Sequence, residues 1–154
     1  MNRKRKPRRI NVKKMFQRKI SATLIDFAKP ILSLVDENTT EKDISAGFMV
    51  AITVWNSMVF DEWFSGERCL DKVRSRILET NDPRKTHLLE ILAERKRGYF
   101  SHDLRAISHY SFSYKDGNLH LHAEARMDQT VYNALSKGQS LPISRGPSSP
   151  IIPD

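Results

Sequence analysis

Residues 47–60 read GFMVAITVWNSMVF and form the most hydrophobic stretch of the chain. A segment that is apolar on nearly every side predicts a helix buried on most of its faces. It is shorter than the roughly 20 residues of a membrane span, so we expect no integral membrane association. Asn56 lies within this helix and needs hydrogen-bond partners, which we expect from a loop or from Trp63.

Three further helices are predicted around this central one. Pro30 should kink or end the first of them, because its ring clashes with the carbonyl four residues earlier. Ser65 can cap the helix that follows the break at Gly66, and Asp82 followed by Pro83 is a strong start signal for the last helix. The predicted helices span about residues 11–34, 41–64, 67–80 and 83–97, the second beginning at Thr40 as its N-cap.

After Ser101 the apolar residues recur every 2 residues instead of every 3.6, and this alternation predicts β-strands. The dipeptide Asp116-Gly117 fits a two-residue type I′ turn. Such a turn pairs residue 115 with 118, 112 with 121 and 110 with 123, which places all the apolar side chains on one face. We therefore predict a hairpin over about 107–115 and 118–127, and then a short helix capped by Asp128.

The predicted fold class is α+β, with a four-helix core and a C-terminal two-stranded β-hairpin packed on it. Residues 1–10 are predicted to be a disordered basic arm and residues 11–138 a single α+β domain. Residues 139–154 are predicted to be a disordered Pro/Ser-rich tail, because four prolines stand in the last thirteen positions.

The positive charge of the chain is concentrated at its N-terminus. Ten of the 26 Lys and Arg residues precede the first acidic residue, Asp26, and the remaining chain holds 16 basic and 18 acidic residues. Cations that neutralise phosphates release counterions, which gives salt-dependent and sequence-indifferent binding of nucleic acid. The predicted nucleic-acid-binding residues are Arg3, Lys4, Arg5, Lys6, Arg8, Arg9, Lys13, Lys14, Arg18 and Lys19. The alternatives are a solvated tail, a nuclear-localisation-like cluster, or a basic helix lying on anionic lipid.

One face of the predicted hairpin carries His109, His122 and Glu124, with His120 at its edge. The predicted register places His109 across from Glu124, and two imidazoles with a carboxylate are a ligand set that zinc accepts. The same residues could serve as an acid and base pair. The simpler interpretation is that this face is polar because it meets solvent.

The sequence lacks the common motifs that indicate an enzyme. The chain has no phosphate loop, no dinucleotide fingerprint, no zinc-protease helix and no nucleophile elbow, and its single Cys69 excludes an internal disulfide. We therefore expect a cytoplasmic (or, in a eukaryote, nuclear) non-enzymatic protein without a cofactor, whose arm contacts RNA, DNA or a ribonucleoprotein. One alternative is a protein–protein adaptor that uses the hairpin edge and the proline-rich tail, with a homodimer through that edge included. A metal-dependent hydrolase built on the His/Glu face is the less favoured alternative.

Overall fold

The computed structural model describes residues 11–144 and 151–153. Within them, seven helices and one three-stranded antiparallel sheet confirm the predicted α+β class. The helices are α1 (Val12–Gln17), α2 (Ile20–Phe27), α3 (Lys29–Leu32), α4 (Glu41–Trp63), α5 (Cys69–Glu79), α6 (Pro83–Tyr99) and α7 (Gln129–Ser136). The strands are β1 (Ala106–Lys115), β2 (Asn118–Asp128) and β3 (Ile151–Pro153), in the order β1-β2-β3.

Helix α4 is the central helix, and it packs against α5, α6 and β1. A capping box starts it, since the Thr40 hydroxyl accepts from the Asp43 amide and the Asp43 carboxylate accepts from the Thr40 amide. This confirms the predicted N-cap. By length and composition alone α4 could cross a membrane, but the core helix of a globular protein passes the same test. In α4, 44% of the most apolar window is buried inside the protein.

The prediction of one helix over residues 11–34 is wrong, because three short helices occupy this segment. Arg18 and Lys19 are extended and separate α1 from α2. The Arg18 carbonyl accepts a hydrogen bond from Arg105 at 2.8 Å instead of one from its own helix. The second break lies at Ala28, and Pro30 lies in the first turn of α3, where a missing N–H costs nothing.

Two helix ends also differ from the prediction. Ser65 does not cap α5, whose first amides, those of Cys69 and Leu70, donate to the Asp61 carboxylate of α4 at 2.6 and 3.0 Å. Helix α6 runs two residues beyond the predicted end, through Tyr99. The extra residues bring Phe100 into the core, where its ring lies 5.8 Å from that of Trp55.

The predicted hairpin register is confirmed. Lys115 pairs with Asn118, Phe112 with Leu121 and Tyr110 with Ala123, and the two turn residues Asp116 and Gly117 both have positive φ, at 52° and 78°. The register shifts by one residue between Ile107 and His109, which marks a β-bulge at the start of β1. Asp128 caps α7 as predicted, accepting from the amides of Thr130 and Val131.

The prediction of a two-stranded sheet is wrong, since the sheet has three strands. Strand β3 comes from the segment predicted to be a disordered tail, and its Ile152 pairs with Met127 of β2. Earlier in the same segment, Ile143 forms a parallel bridge with Phe64. Backbone groups in this proline-rich segment thus pair with the backbone of the folded part of the chain. Residues 1–10, predicted to be a disordered arm, lie outside the described residues.

Gly47 allows α3 to lie close to α4, because a Cβ atom there would lie 2.7 Å from Cγ2 of Ile31. The Gly47→Ala variant is therefore expected to lose about 1–2 kcal/mol of unfolding free energy, as overpacking outweighs the better helix propensity of Ala. Gly98 in α6 is the matched control, since nothing lies within 4 Å of its Cβ position. Gly98→Ala is expected to gain up to about 1 kcal/mol. Urea unfolding measures both, and a stabilised Gly47→Ala variant would contradict this packing.

Candidate nucleic-acid interface

A cleft of about 880 Å³ opens between the N-terminal helices and the C-terminal end of α6 with the loop that follows it. Its walls carry more positive than negative charge, with five cationic side chains and two carboxylates among the lining residues. These are Lys14, Arg18, Lys29, Arg95 and Arg105 against Asp26 and Asp103. Asn11, the first described residue after the basic arm, also lines the cleft.

Arg105 forms the floor of this cleft and is fully buried. Its guanidinium binds the Asp103 carboxylate in a bidentate manner, with Nε 3.0 Å from Oδ1 and Nη2 2.7 Å from Oδ2. Nη1 donates to the Arg18 carbonyl, and the ring of Phe16 lies 5.7 Å from the guanidinium carbon. Because a buried charge needs such partners, Arg105 has a structural role and holds the α1–α2 junction in place.

Arg95 joins α6 to the end of α2. Its Nε and Nη2 donate to the carbonyls of Phe27 and Asp26 at 3.1 and 2.8 Å, at the C-terminal end of that helix, where a cation is favourable. The same guanidinium lies 5.8 Å from the ring centroid of Tyr99. Tyr99 nevertheless keeps 80% of its surface exposed at the cleft. An aromatic ring is thus presented to solvent beside a cation.

Asp26 is held between two cations at the edge of the cleft. Lys29 Nζ lies 2.9 Å from its carboxylate and Arg18 Nη1 lies 3.3 Å away. The hydrogen bond from Lys29 holds the pKa of Asp26 below its ordinary value, and Arg18 acts in the same direction. Asp26 and Asp103 offset only two of the five cationic side chains, so the cleft keeps an excess of positive charge.

Lys96 lies beneath the cleft and is almost fully buried. Its Nζ donates to the carbonyls of Phe100 and Asp103 at 2.6 and 2.7 Å and lies 4.4 Å from a ring centroid of Trp55. Burial lowers the pKa of Lys96 from 10.5 to about 8, against the opposing charges of Asp103 and Glu62. Lys96 ties the end of α6 to the loop that leads into β1.

The predicted basic residues divide into three groups. Lys14 and Arg18 line the cleft, while Lys13 and Lys19 are exposed near it without being lining residues. The six residues of the arm lie outside the described residues; they are Arg3, Lys4, Arg5, Lys6, Arg8 and Arg9. Sequence analysis missed the contributions of Lys29, Arg95, Arg105 and Tyr99. The only available signal was the run of cations at the end of α6, which does not show what faces it.

The predicted metal ligands lie on the exposed face of the hairpin. His109 is directly across from Glu124, as predicted, and His122 Nε2 is 3.7 Å from Glu124 Oε1. Within residues 11–144 and 151–153, however, no group of three or more His, Cys, Asp or Glu side chains is placed to hold a metal ion.

The chain was compared with protein-family models, with curated proteins and with solved structures, and none of these comparisons gives a match.

The lowered pKa of Lys96 predicts how stability changes with pH. Between pH 8 and 10.5 the unfolded chain keeps a proton on Lys96 that the folded protein has released, so stability rises with pH across this window. The free energy of unfolding of the wild type relative to Lys96→Met should therefore rise by about 3 kcal/mol from pH 7 to 11. Urea unfolding at several pH values measures this difference.

The exposed Lys85 provides the control, because substituting it removes a charge from the surface and not from the interior. A Lys85→Met variant should keep the pH dependence of the wild type's free energy of unfolding. Parallel curves for the wild type and Lys96→Met would show that Lys96 is not buried in the manner described.

Proposed function

We propose that the protein is a non-enzymatic binding protein whose basic N-terminal arm contacts nucleic acid or a ribonucleoprotein. One observation carries this proposal. The arm joins the folded chain at Asn11, which lines the same cleft as Lys14 and Arg18. The cations of the arm are thus continuous along the chain with those of the cleft.

The distribution of charge supports the same proposal. The first 25 residues hold ten cations and no acid, whereas the rest of the chain has slightly more acidic than basic residues. A polyanion would therefore be attracted to one end of the molecule and not to its whole surface. Nothing in this interaction requires chemistry beyond binding.

Replacing the arm cations with Gln tests the proposal in the full-length chain. Each phosphate contact contributes roughly 0.7–0.9 to the slope of log K against log salt, so loss of the six arm charges should reduce that slope by about 4 to 5. Binding to single-stranded and double-stranded RNA and DNA is measured by fluorescence anisotropy across a salt series. The residues to replace are Arg3, Lys4, Arg5, Lys6, Arg8 and Arg9.

The control variant loses the same charge elsewhere on the surface, so it separates the location of charge from net charge. Its binding should remain within a few-fold of that of the wild type. The six exposed cations replaced in it are Lys42, Lys72, Arg76, Arg84, Lys85 and Lys137. Equal loss of binding in both variants, or binding that does not respond to salt, would contradict the proposal.

A protein–protein adaptor is the second candidate, and the sheet order gives it one specific feature. In the described part of the chain, β1 pairs with a strand on one side only. The Asn56 side chain occupies its other edge at Ile107, and the edge beyond that residue can accept a strand. Strand β3 pairs with the free edge of β2 and covers part of it, which leaves less of the proline-rich tail for a partner.

Affinity purification with and without nuclease separates the two functions. Nucleic-acid binding predicts that partners are lost with nuclease, whereas the adaptor predicts that they are kept, also at about 1 M salt.

A further inference from the structure

We infer that the cleft binds single-stranded nucleic acid, with the ring of Tyr99 as a stacking surface for a base and the surrounding cations as contacts for its phosphates. This inference rests on the proposed function and makes it more specific. The arm alone would attract any polyanion, duplex or single strand, because it offers only charge. The cleft adds an aromatic face, which distinguishes strands whose bases are accessible from those whose bases are paired.

Tyr99 has the position and exposure that stacking requires. It is the last residue of α6, and its side chain points into water beside the cleft, with 80% of its surface exposed. The neighbouring Phe100 is buried in the core, so the backbone that carries Tyr99 is firmly held. An exposed ring on a fixed backbone offers a face to a base without a large ordering cost.

Arg95 strengthens the case for an aromatic ligand at this point. Two of its nitrogens are fixed on the end of α2, which keeps the guanidinium 5.8 Å from the Tyr99 ring. Arginine planes and aromatic rings are the two kinds of surface on which unpaired bases stack in single-strand-binding proteins. Here the guanidinium lies over one face of the Tyr99 ring, and the exposed remainder of the ring is the surface offered to a base.

The cations of the cleft are suited to the phosphates of such a strand. Lys14 is exposed, and the side chains of Arg18 and Lys29 keep 56% and 69% of their surface exposed although both contact Asp26. Surface ion pairs of this kind are weak, so a phosphate can compete for these cations. The cleft's volume of about 880 Å³ falls in the range of about 300–1,000 Å³ that is typical of pockets for small organic ligands.

The experiment compares the full-length wild type with Tyr99→Ala and Tyr99→Phe. Fluorescence anisotropy measures binding to an oligonucleotide of about 12 residues as single-stranded RNA, as single-stranded DNA and as a duplex of the same sequence. Loss of one stacked base should weaken single-strand binding of Tyr99→Ala by about 5- to 150-fold. Duplex binding and the salt slope should not change, because the substitution removes no charge. Tyr99→Phe keeps the stacking face and should bind single strands within about twofold of the wild type.

Failure of this inference can be told apart from failure of the proposed function. If the wild type binds neither single strands nor duplex, the proposed function fails and the inference fails with it. If the wild type binds in a salt-dependent manner and Tyr99→Ala binds single strands as well as the wild type does, only the single-strand site is overturned. A loss of binding in Tyr99→Phe as large as that in Tyr99→Ala would also overturn it, because the phenyl ring should suffice for stacking.

Discussion

Three side chains of the central helix hold the segment that leads into the sheet, and the rest of the structure depends on this interaction. The indole N–H groups of Trp55 and Trp63 each donate to a backbone carbonyl, those of Arg105 and Leu104, at 2.7 Å. The Asn56 amide donates to the Ile107 carbonyl at 2.9 Å and accepts from its N–H at 2.7 Å, as a neighbouring strand would. Backbone groups in an apolar interior must be paired, and here side chains of α4 supply the partners. These bonds place the first residues of β1 against α4 and thereby fix where the hairpin begins.

The cleft is built on the same segment. Asp103 and Arg105 flank Leu104, and Arg105 reaches the Arg18 carbonyl 87 positions earlier in the chain. Lys96 holds the other side of the loop through the carbonyls of Phe100 and Asp103. The buried cations are therefore part of the fold, because each is neutralised or hydrogen-bonded within it. The cations and the aromatic ring at the surface are the groups left for a ligand, so they can be substituted without removing a core contact.

Local patterns predicted the α+β class, the central helix α4 and the hairpin, but they did not predict how distant residues meet. The hairpin register followed from alternation and from the turn at Asp116-Gly117, because a shift by one residue would reverse the faces. The need of Asn56 for a partner was also visible, but the partner is the backbone of Ile107 in β1 and not a loop or Trp63. The break at Arg18 was not visible, because its cause is a bond from Arg105, and the cleft was missed for the same reason. Strand β3 was missed because its three residues are too few to show a period.

The exchange of the two indole protons with solvent tests this structure most directly. The chain has only two tryptophans, so each indole N–H gives one identifiable signal in a ¹⁵N-resolved proton spectrum. Both rings are buried, at 0% and 4% exposure, and both N–H groups are bonded to the segment that enters β1. We predict that both protons exchange only through global unfolding, with the same free energy of opening as the most protected amides of α4. Rapid exchange of either indole proton while the α4 amides stay protected would show that α4 does not hold this segment.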